Sequence, residues 1–343
     1  MNNKGMAITT VIYSIILLLS LCMFLALGIL RSEYTNDKQY ILDLREELND
    51  LLKGDEESYG VDKIIKQTGN KDNSGLYTIT HPADSTLQIG NDKDIKEYRY
   101  RGANPKNYVT FNNEVWRIIG VFPVDDGNGN IENRIKIIKD QSIGNKSWDT
   151  GNSNNWARPA TLNTELNTTY LNSLDSTSQS MIGQAKYYLG GKTPTSNNGY
   201  ADTPLQFYSY ERKIQNTTSN EFYNGTNPNS WVGKLGLMYL SDYGYASSNC
   251  ENKKIWDDSN SSSNDIRACN GTNWLYNIKA NEWLLPQFAS GSRNAFFVRS
   301  DGYADDYYVR YDQLAVRPVL YLISSAQITG GNGTSSSPYT LGL

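Results

Sequence analysis

Histidine and cysteine are scarce in this sequence of 343 residues, which contains one His and three Cys. A Ser-His-Asp or Cys-His catalytic set would have to use His81, which stands directly before Pro82. Cys250 and Cys269 have no histidine partner, so a zinc site is not expected. We therefore predict no catalytic residues and no enzyme activity, with a carbohydrate-active hydrolase built on two carboxylates as the alternative.

The sequence also lacks a basic cluster and a glycine-rich phosphate-binding loop. Its formal net charge at pH 7 is −4. Nucleic-acid binding depends on patches of Lys and Arg that neutralise phosphates, so a DNA or RNA partner is disfavoured. No cofactor is expected.

A calcium loop is the one metal site that the spacing of residues suggests. Asp126, Asn128, Asn130 and Glu132 alternate as calcium ligands do. An EF-hand loop needs Gly at its sixth position and two flanking helices, and neither is present. The Gly, Asn and Asp residues of this segment are typical of a hairpin between the strands "YVTFNNEVWRIIGVF" and "RIKIIKD". We therefore predict a turn and no metal, with calcium as the less favoured alternative.

Charge is absent from one long stretch, since Met6 to Leu30 contains no Asp, Glu, Lys, Arg or His. A helix of that length covers roughly 37 Å, enough to cross a hydrocarbon core of ~30 Å. A secretory signal peptide would have a shorter apolar core and a small-x-small cleavage site. The stretch predicts a transmembrane helix, and a plain signal anchor remains an alternative.

The residues "KGMAITTVIYSII" resemble the amino terminus of a type IV prepilin. The resemblance implies a leader over residues 1–5, cut between Gly5 and Met6 by a prepilin peptidase. It also implies a membrane, that peptidase and other pilin-like subunits as partners. Most pilins have Glu as the fifth mature residue, and this sequence has Thr10 there.

In the following segment "TNDKQYILDLREELNDLLKG", apolar residues recur mainly at spacings of three and four, as on one face of a helix. We therefore predict one transmembrane and amphipathic helix over residues 6–53, with a membrane anchor and a short stalk as the alternative. Residues 54–99 are linker-like, and residues 100–343 are predicted to form a globular surface domain. We expect a single-pass protein of the cell membrane, with a cytoplasmic amino terminus and an extracellular head. If the resemblance extends to assembly, the protein is expected in a pilus-like filament.

Cys250 and Cys269 lie 19 residues apart in a polar loop rich in Ser and Asn. A disulfide would order this loop by removing chain entropy from the unfolded state, a contribution of about 3 kcal/mol. We predict this disulfide, which requires an oxidising compartment.

The segments "VWRIIGVF", "GLMYLSDYGYA" and "AVRPVLYL" resemble a family of bacterial cell-surface domains akin to the C-type-lectin-like fold of formylglycine-generating enzymes. The resemblance implies an α+β chain, with the long helix followed by a mixed, mostly antiparallel head. It also implies a closing strand formed by Val316, Val319, Leu320 and Leu322, with Arg317 as its polar partner.

Tyrosine is abundant, with 25 residues, and it is concentrated in "RNAFFVRSDGYADDYYVRYDQ". Tyr, Arg and Asp together are typical of protein-binding surfaces. The candidate ligand-binding residues are Arg293, Arg299, Asp301, Tyr303, Asp305, Asp306, Tyr307, Tyr308, Arg310 and Tyr311. We predict a displayed surface protein that binds an extracellular protein or glycan through this face. The alternatives are cross-strand pairs of an ordinary sheet and a purely structural minor pilin or pseudopilin subunit without a ligand.

Overall fold

The computed structural model describes residues 13, 16–24, 41, 44, 59–69, 74–90, 92–192, 202–214, 221–248, 250–255, 266–276, 280–311 and 314–343. The chain divides into two compact units, Met1–Glu57 and Ser58–Leu343. The division falls four residues after Lys53, where the sequence predicts the end of the helix.

In the first unit, the described residues 13, 16–24, 41 and 44 are helical. Across the described residues, no helix combines the length and the apolar character needed to cross a membrane. This finding corrects two predictions: the fold class with a long membrane helix over residues 6–53, and the single-pass location in a cell membrane. The predicted cleavage site at Gly5 and Met6, and Thr10, lie outside the described residues.

The second unit is mostly antiparallel sheet with short helices. Its strands are β1 Gly75–His81, β2 Ile95–Arg101, β3 Tyr108–Phe111, β4 Glu114–Asp125, β5 Ile131–Lys139, β6 Asn145–Lys146, β7 Ala185–Tyr188, β8 Ser230–Gly233, β9 Leu235–Gly236, β10 Glu282–Gln287, β11 Asn294–Val298, β12 Ala304–Tyr308, β13 Leu314–Ala315, β14 Val319–Tyr321, β15 Gln327–Gly330 and β16 Thr340–Gly342. The first two strands lie wholly or largely in the segment that the sequence indicates as linker-like.

The helices of this unit are Gly60–Ile65, Thr161–Glu165, Leu171–Ser173, Ser176–Met181, Pro204–Glu211 and Leu240–Tyr245, with a π-helical turn over Leu166–Tyr170 and a 3₁₀ helix over Ile266–Thr272. Asp175 caps the Ser176 helix by accepting a hydrogen bond from the Ser178 amide. Thr203 forms a capping box with Gln206 at the start of the Pro204 helix.

The largest sheet has the strand order β1-β2-β4-β5-β14-β9, with β3 paired to β4. Strands β4 and β5 form its centre because their runs of Ile, Val and Phe are buried on both faces. Gly120 is required in β4, since a Cβ there would lie 2.0 Å from the Tyr98 carbonyl oxygen. The predicted hairpin between β4 and β5 is confirmed.

The second sheet has the order β12-β11-β10-β13-β6, in which only the β10–β13 pair is parallel. One hydrophobic core joins it to the large sheet and contains Trp116, Trp148, Trp156 and Trp283. At its centre, Arg317 Nε lies 2.9 Å from both carboxylate oxygens of Glu282. Of the predicted closing strand, Val319 and Leu320 lie in β14, which is buried beside β5, whereas Val316 and Leu322 lie just outside it.

The predicted disulfide between Cys250 and Cys269 is present. It connects the segment after the Leu240 helix to the 3₁₀ helix Ile266–Thr272, with a Cα–Cα distance of 6.4 Å. Both cysteines are buried, so the bond forms part of the core. Cys22 is a free cysteine and is exposed.

Candidate functional site

The predicted binding residues surround the hairpin of β11 and β12 in the second sheet. The register pairs Phe297 with Asp305 and Ala295 with Tyr307. Gly302 closes the turn with a φ of +86° and approaches the Asn270 side chain so closely that a Cβ would clash. Tyr243 Oη donates to the Gly302 carbonyl over 2.8 Å, which anchors the turn to the core.

The hairpin carries a connected row of aromatic rings from the core to the surface. The Tyr307 ring lies 5.8 Å from that of Phe297 and 6.5 Å from that of Trp283. Tyr311 contacts Tyr307 at 5.2 Å and Tyr308 at 5.9 Å between ring centroids. We call Tyr307, Tyr308 and Tyr311 the tyrosine cluster. Because buried rings support its inner member, the cluster is held in place from behind.

Exposure separates the candidate residues. Tyr308 is 48 % exposed and Tyr311 37 %, whereas Tyr303 is only 6 % exposed and faces the core. The exposed candidates are Arg293, Arg299, Asp301, Tyr308, Arg310 and Tyr311. The intermediate candidates are Asp305, Asp306 and Tyr307. The sequence pattern therefore groups nine residues that reach the surface with one that supports the turn from inside.

Charged groups of both signs flank the tyrosine cluster. Arg299 pairs with Asp301 at 3.2 Å and with Asp305 at 3.7 Å. The Arg310 guanidinium lies 5.5 Å from the Tyr311 ring centre. Burial raises the pKa of Asp305 and of Asp306 above the ordinary value. Both carboxyl groups are therefore held where solvent stabilises their charge incompletely.

In the loop considered as a calcium site, the carboxylate oxygens of Asp126 accept hydrogen bonds from within the loop. Asp126 Oδ1 accepts from the Asn128 amide at 2.7 Å, and Asp126 Oδ2 accepts from Asn130 Nδ2 at 3.0 Å. Glu132 instead accepts from Arg134 and from Ser324. Hydrogen bonds led by that of Asn130 lower the pKa of Asp126 to about 2. Among the described residues, no group of three or more His, Cys, Asp or Glu side chains is placed to hold a metal ion.

A second group of charged side chains, which the sequence did not predict, is buried where strands of the large sheet contact the helices Pro204–Glu211 and Leu240–Tyr245. We call its members the buried charge cluster: His81, Glu97, Arg99, Lys136, Glu211, Arg212 and Asp242. The sequence signal for this cluster was a basic side chain between aromatic or aliphatic residues of a predicted strand, as Arg99 is in "YRYR" and Lys136 in "RIKIIK". The partners come from distant parts of the chain, so their meeting depends on the sheet order.

Hydrogen bonds connect this cluster into a chain. His81 Nε2 lies 3.3 Å from Glu97 Oε2, and Arg99 Nε donates to the same oxygen at 2.9 Å. Arg99 Nη1 donates to Asp242 Oδ1 at 2.9 Å, and Lys136 Nζ donates to Asp242 Oδ2 at 2.5 Å. Buried ions are stable only when paired in this way, since each has lost its hydration.

Burial and pairing act in opposite directions on these groups. Burial alone would raise the pKa of Asp242, but Lys136 and Arg99 outweigh it and hold that pKa below its ordinary value. Burial lowers the pKa of Lys136 in spite of Asp242, and it lowers the pKa of His81 in spite of Glu97. Desolvation therefore destabilises the charged forms in this cluster, and the ion pairs and hydrogen bonds among its members stabilise them.

A cavity of about 480 Å³ opens beside the His81 end of the cluster and is lined by Pro82, Leu87, Leu205 and Tyr208 among others. The Tyr208 ring stacks on the His81 ring at 3.4 Å, and the Arg212 guanidinium lies 3.7 Å from the Tyr208 ring centre. His81 and Tyr208 therefore both line the cavity, and they contact the buried Glu97 and Arg212, respectively.

Comparison with known proteins gives no relative for this arrangement. No family model matches the sequence, no curated protein matches it, and no solved structure matches the fold. The resemblances to prepilins and to lectin-like surface domains therefore stay predictions.

Proposed function

We propose that this protein binds another protein through the tyrosine cluster. The observation that carries the proposal is that Tyr308 and Tyr311, exposed at 48 % and 37 %, contact each other, and that Tyr311 also packs on the half-buried Tyr307. Large rings already fixed at a surface lose little conformational entropy when a partner covers them. Such residues are the ones that dominate protein interfaces in energy.

The charges around the cluster favour a protein over a glycan as the ligand. Arg299, Asp301 and Arg310 are exposed and present both signs within one short segment. Side chains of a polypeptide can pair with both signs, whereas a neutral glycan carries no charged group that could pair with either. A polar rim around an aromatic centre is the usual anatomy of a protein interface.

Strand addition is not the expected mode of binding, although β12 is the terminal strand of its sheet. The Asp306 amide donates to Asp305 Oδ1 at 2.8 Å, and the Ala304 amide donates to the Ile255 carbonyl at 3.4 Å. A charged side chain and a neighbouring segment thus occupy backbone donors of β12. Recognition is therefore assigned to side chains of the hairpin.

A peptide library displayed on phage tests this proposal with a defined probe. Peptides selected on the wild-type protein should lose at least tenfold in affinity for the Tyr308→Ser/Tyr311→Ser variant, about 1.4 kcal/mol or more. Tyr59→Ser is the matched control, because Tyr59 is 36 % exposed and lies outside the hairpin. Selected peptides that bind all three proteins equally would overturn the proposal, as would binding found only on a glycan array.

The structural alternative gives a different result in the same variants. If the hairpin contacts only copies of its own chain, no peptide that binds the hairpin will be selected. The double substitution will instead change the mass of the assembly measured by sedimentation.

A further inference from the structure

At the inner end of the buried charge cluster, an amine lies against a carboxyl group and both are buried from solvent. Lys136 Nζ lies 2.5 Å from Asp242 Oδ2, and the two side chains are 1 % and 0 % exposed. The rings of Tyr239, Tyr321 and Phe122 surround Nζ at 4.4, 5.3 and 5.5 Å. An ion pair in such a place has lost the hydration of both charges.

Two fixed donors hold the carboxyl group for reaction. Arg99 Nη1 donates to Oδ1 at 2.9 Å, and the Tyr239 backbone amide donates to Oδ2 at 2.9 Å. Glu97 fixes Arg99 from behind through a hydrogen bond of 2.9 Å to Nε. Donors placed on both oxygens stabilise the negative charge that develops when a nucleophile adds to a carboxyl carbon.

We propose that Lys136 and Asp242 condense to an intramolecular isopeptide bond. A proton moves along the hydrogen bond from Nζ to Oδ2, which leaves a neutral amine beside a neutral carboxylic acid. The Nζ lone pair adds to the Asp242 carboxyl carbon, and the bond from that carbon to Oδ2 breaks. Oδ2 leaves as water with two of the three ammonium protons, and the third stays on the new amide nitrogen. The reaction needs no oxidant and no co-reactant.

The surroundings favour this product over the ion pair. Condensation removes two charges that have lost their contact with water, and the new carbonyl oxygen keeps its hydrogen bond from Arg99. Fixed proximity supplies the effective concentration that amide formation in water lacks. The bond would join β5 to the helix Leu240–Tyr245 across 106 residues of sequence, and it would constrain the unfolded chain as a disulfide does.

The chain contains a matched pair that should not react. Lys139 Nζ, on the same strand, also lies 2.5 Å from a carboxylate oxygen, that of Glu114, but the Glu114 side chain is 44 % exposed. Water stabilises the charges there, so this pair should remain an ion pair.

Intact mass spectrometry of the full chain in denaturant, after reduction of the disulfide, tests the proposal. The wild-type protein should be lighter than its sequence mass by one water molecule, and Lys139→Met should keep the deficit. Lys136→Met and Asp242→Ala should have their full sequence masses. Asp242→Asn should lose ammonia and give the same amide.

Peptide mapping should recover a branched peptide that joins the segments containing Lys136 and Asp242. A wild-type chain at its full sequence mass, or a deficit that survives in Lys136→Met, would overturn the proposal. The wild-type measurement decides the matter even if a variant fails to fold, and it is independent of any binding by the tyrosine cluster.

Discussion

At the scale of single residues, the account depends on how burial changes the charge of acidic and basic groups. Glu211 illustrates this, since it is fully buried and accepts hydrogen bonds from the Ser241 amide and the Ser241 hydroxyl. Burial raises its pKa from 4.5 to about 6, outweighing the opposite effect of Arg212. Below about pH 6, this carboxyl group is therefore mostly protonated in the folded protein.

A pH dependence of stability follows for Glu211. Between its unfolded pKa of 4.5 and its folded pKa of about 6, the folded protein binds a proton that the unfolded chain has released. The free energy of unfolding should therefore fall as the pH rises through this window, by about 2 kcal/mol from this group. Glu211→Gln lacks the titration, so the difference between wild-type and variant urea-unfolding curves should carry that slope.

The difference curve isolates Glu211 because other groups titrate in both proteins. Burial lowers the pKa of His81, so protonation of this residue reduces the free energy of unfolding as the pH falls. This opposite trend is present in both proteins and cancels in the difference. A difference that stays flat from pH 4.5 to 6 would show that Glu211 is not desolvated as described.

At the scale of elements, local turn chemistry decides where the strands begin and end. Asn112 and Asn113 form the whole connection between β3 and β4, with φ values of 52° and 57°. Two successive residues with positive φ are the requirement of a type I′ hairpin turn, and Asn tolerates it better than most residues. The prediction of one continuous strand over "YVTFNNEVWRIIGVF" is therefore wrong, and the Asn-Asn pair within it is the sequence signal of the turn.

Substitution of Asn113 tests this turn, since its side chain is exposed and packing does not obscure the effect. Asn113→Val should destabilise the protein by roughly 1–2 kcal/mol, because a β-branched residue resists a left-handed backbone. Asn113→Gly should be neutral or slightly stabilising, and it serves as the control. Thermal unfolding of the three proteins gives the comparison, and equal midpoints for Val and Gly would rule out the left-handed turn.

At the scale of the whole molecule, the sequence predicted local features and missed long-range ones. The β4–β5 hairpin and the disulfide followed from nearby residues. The pairing of Val319 in β14 with Ile138 in β5 did not, because nothing local specifies which strands become neighbours. The buried charge cluster was missed for the same reason. The tyrosine-rich hairpin could be predicted because its residues are consecutive in the sequence. Tyr303 was wrongly expected at the surface because the alternation of exposed and buried side chains ends at the turn.

The division of the chain before Ser58 predicts that the second unit is stable by itself. Its hydrophobic core is drawn from residues between Val61 and Tyr339. A chain that starts at Ser58 should therefore unfold in urea with the same midpoint and slope as the full chain. Tryptophan fluorescence reports this unit alone, because every Trp in the sequence follows residue 58. A lower midpoint for the shortened chain would mean that the second unit does not carry its own stability.

Calorimetric titration of a library-selected peptide into the wild-type protein and into Tyr308→Ser/Tyr311→Ser tests the central claim most directly. The account predicts measurable binding by the wild type, binding of equal strength by Tyr59→Ser, and at least a tenfold loss, about 1.4 kcal/mol, in the double variant. Equal affinity for the wild type and the folded double variant would contradict it.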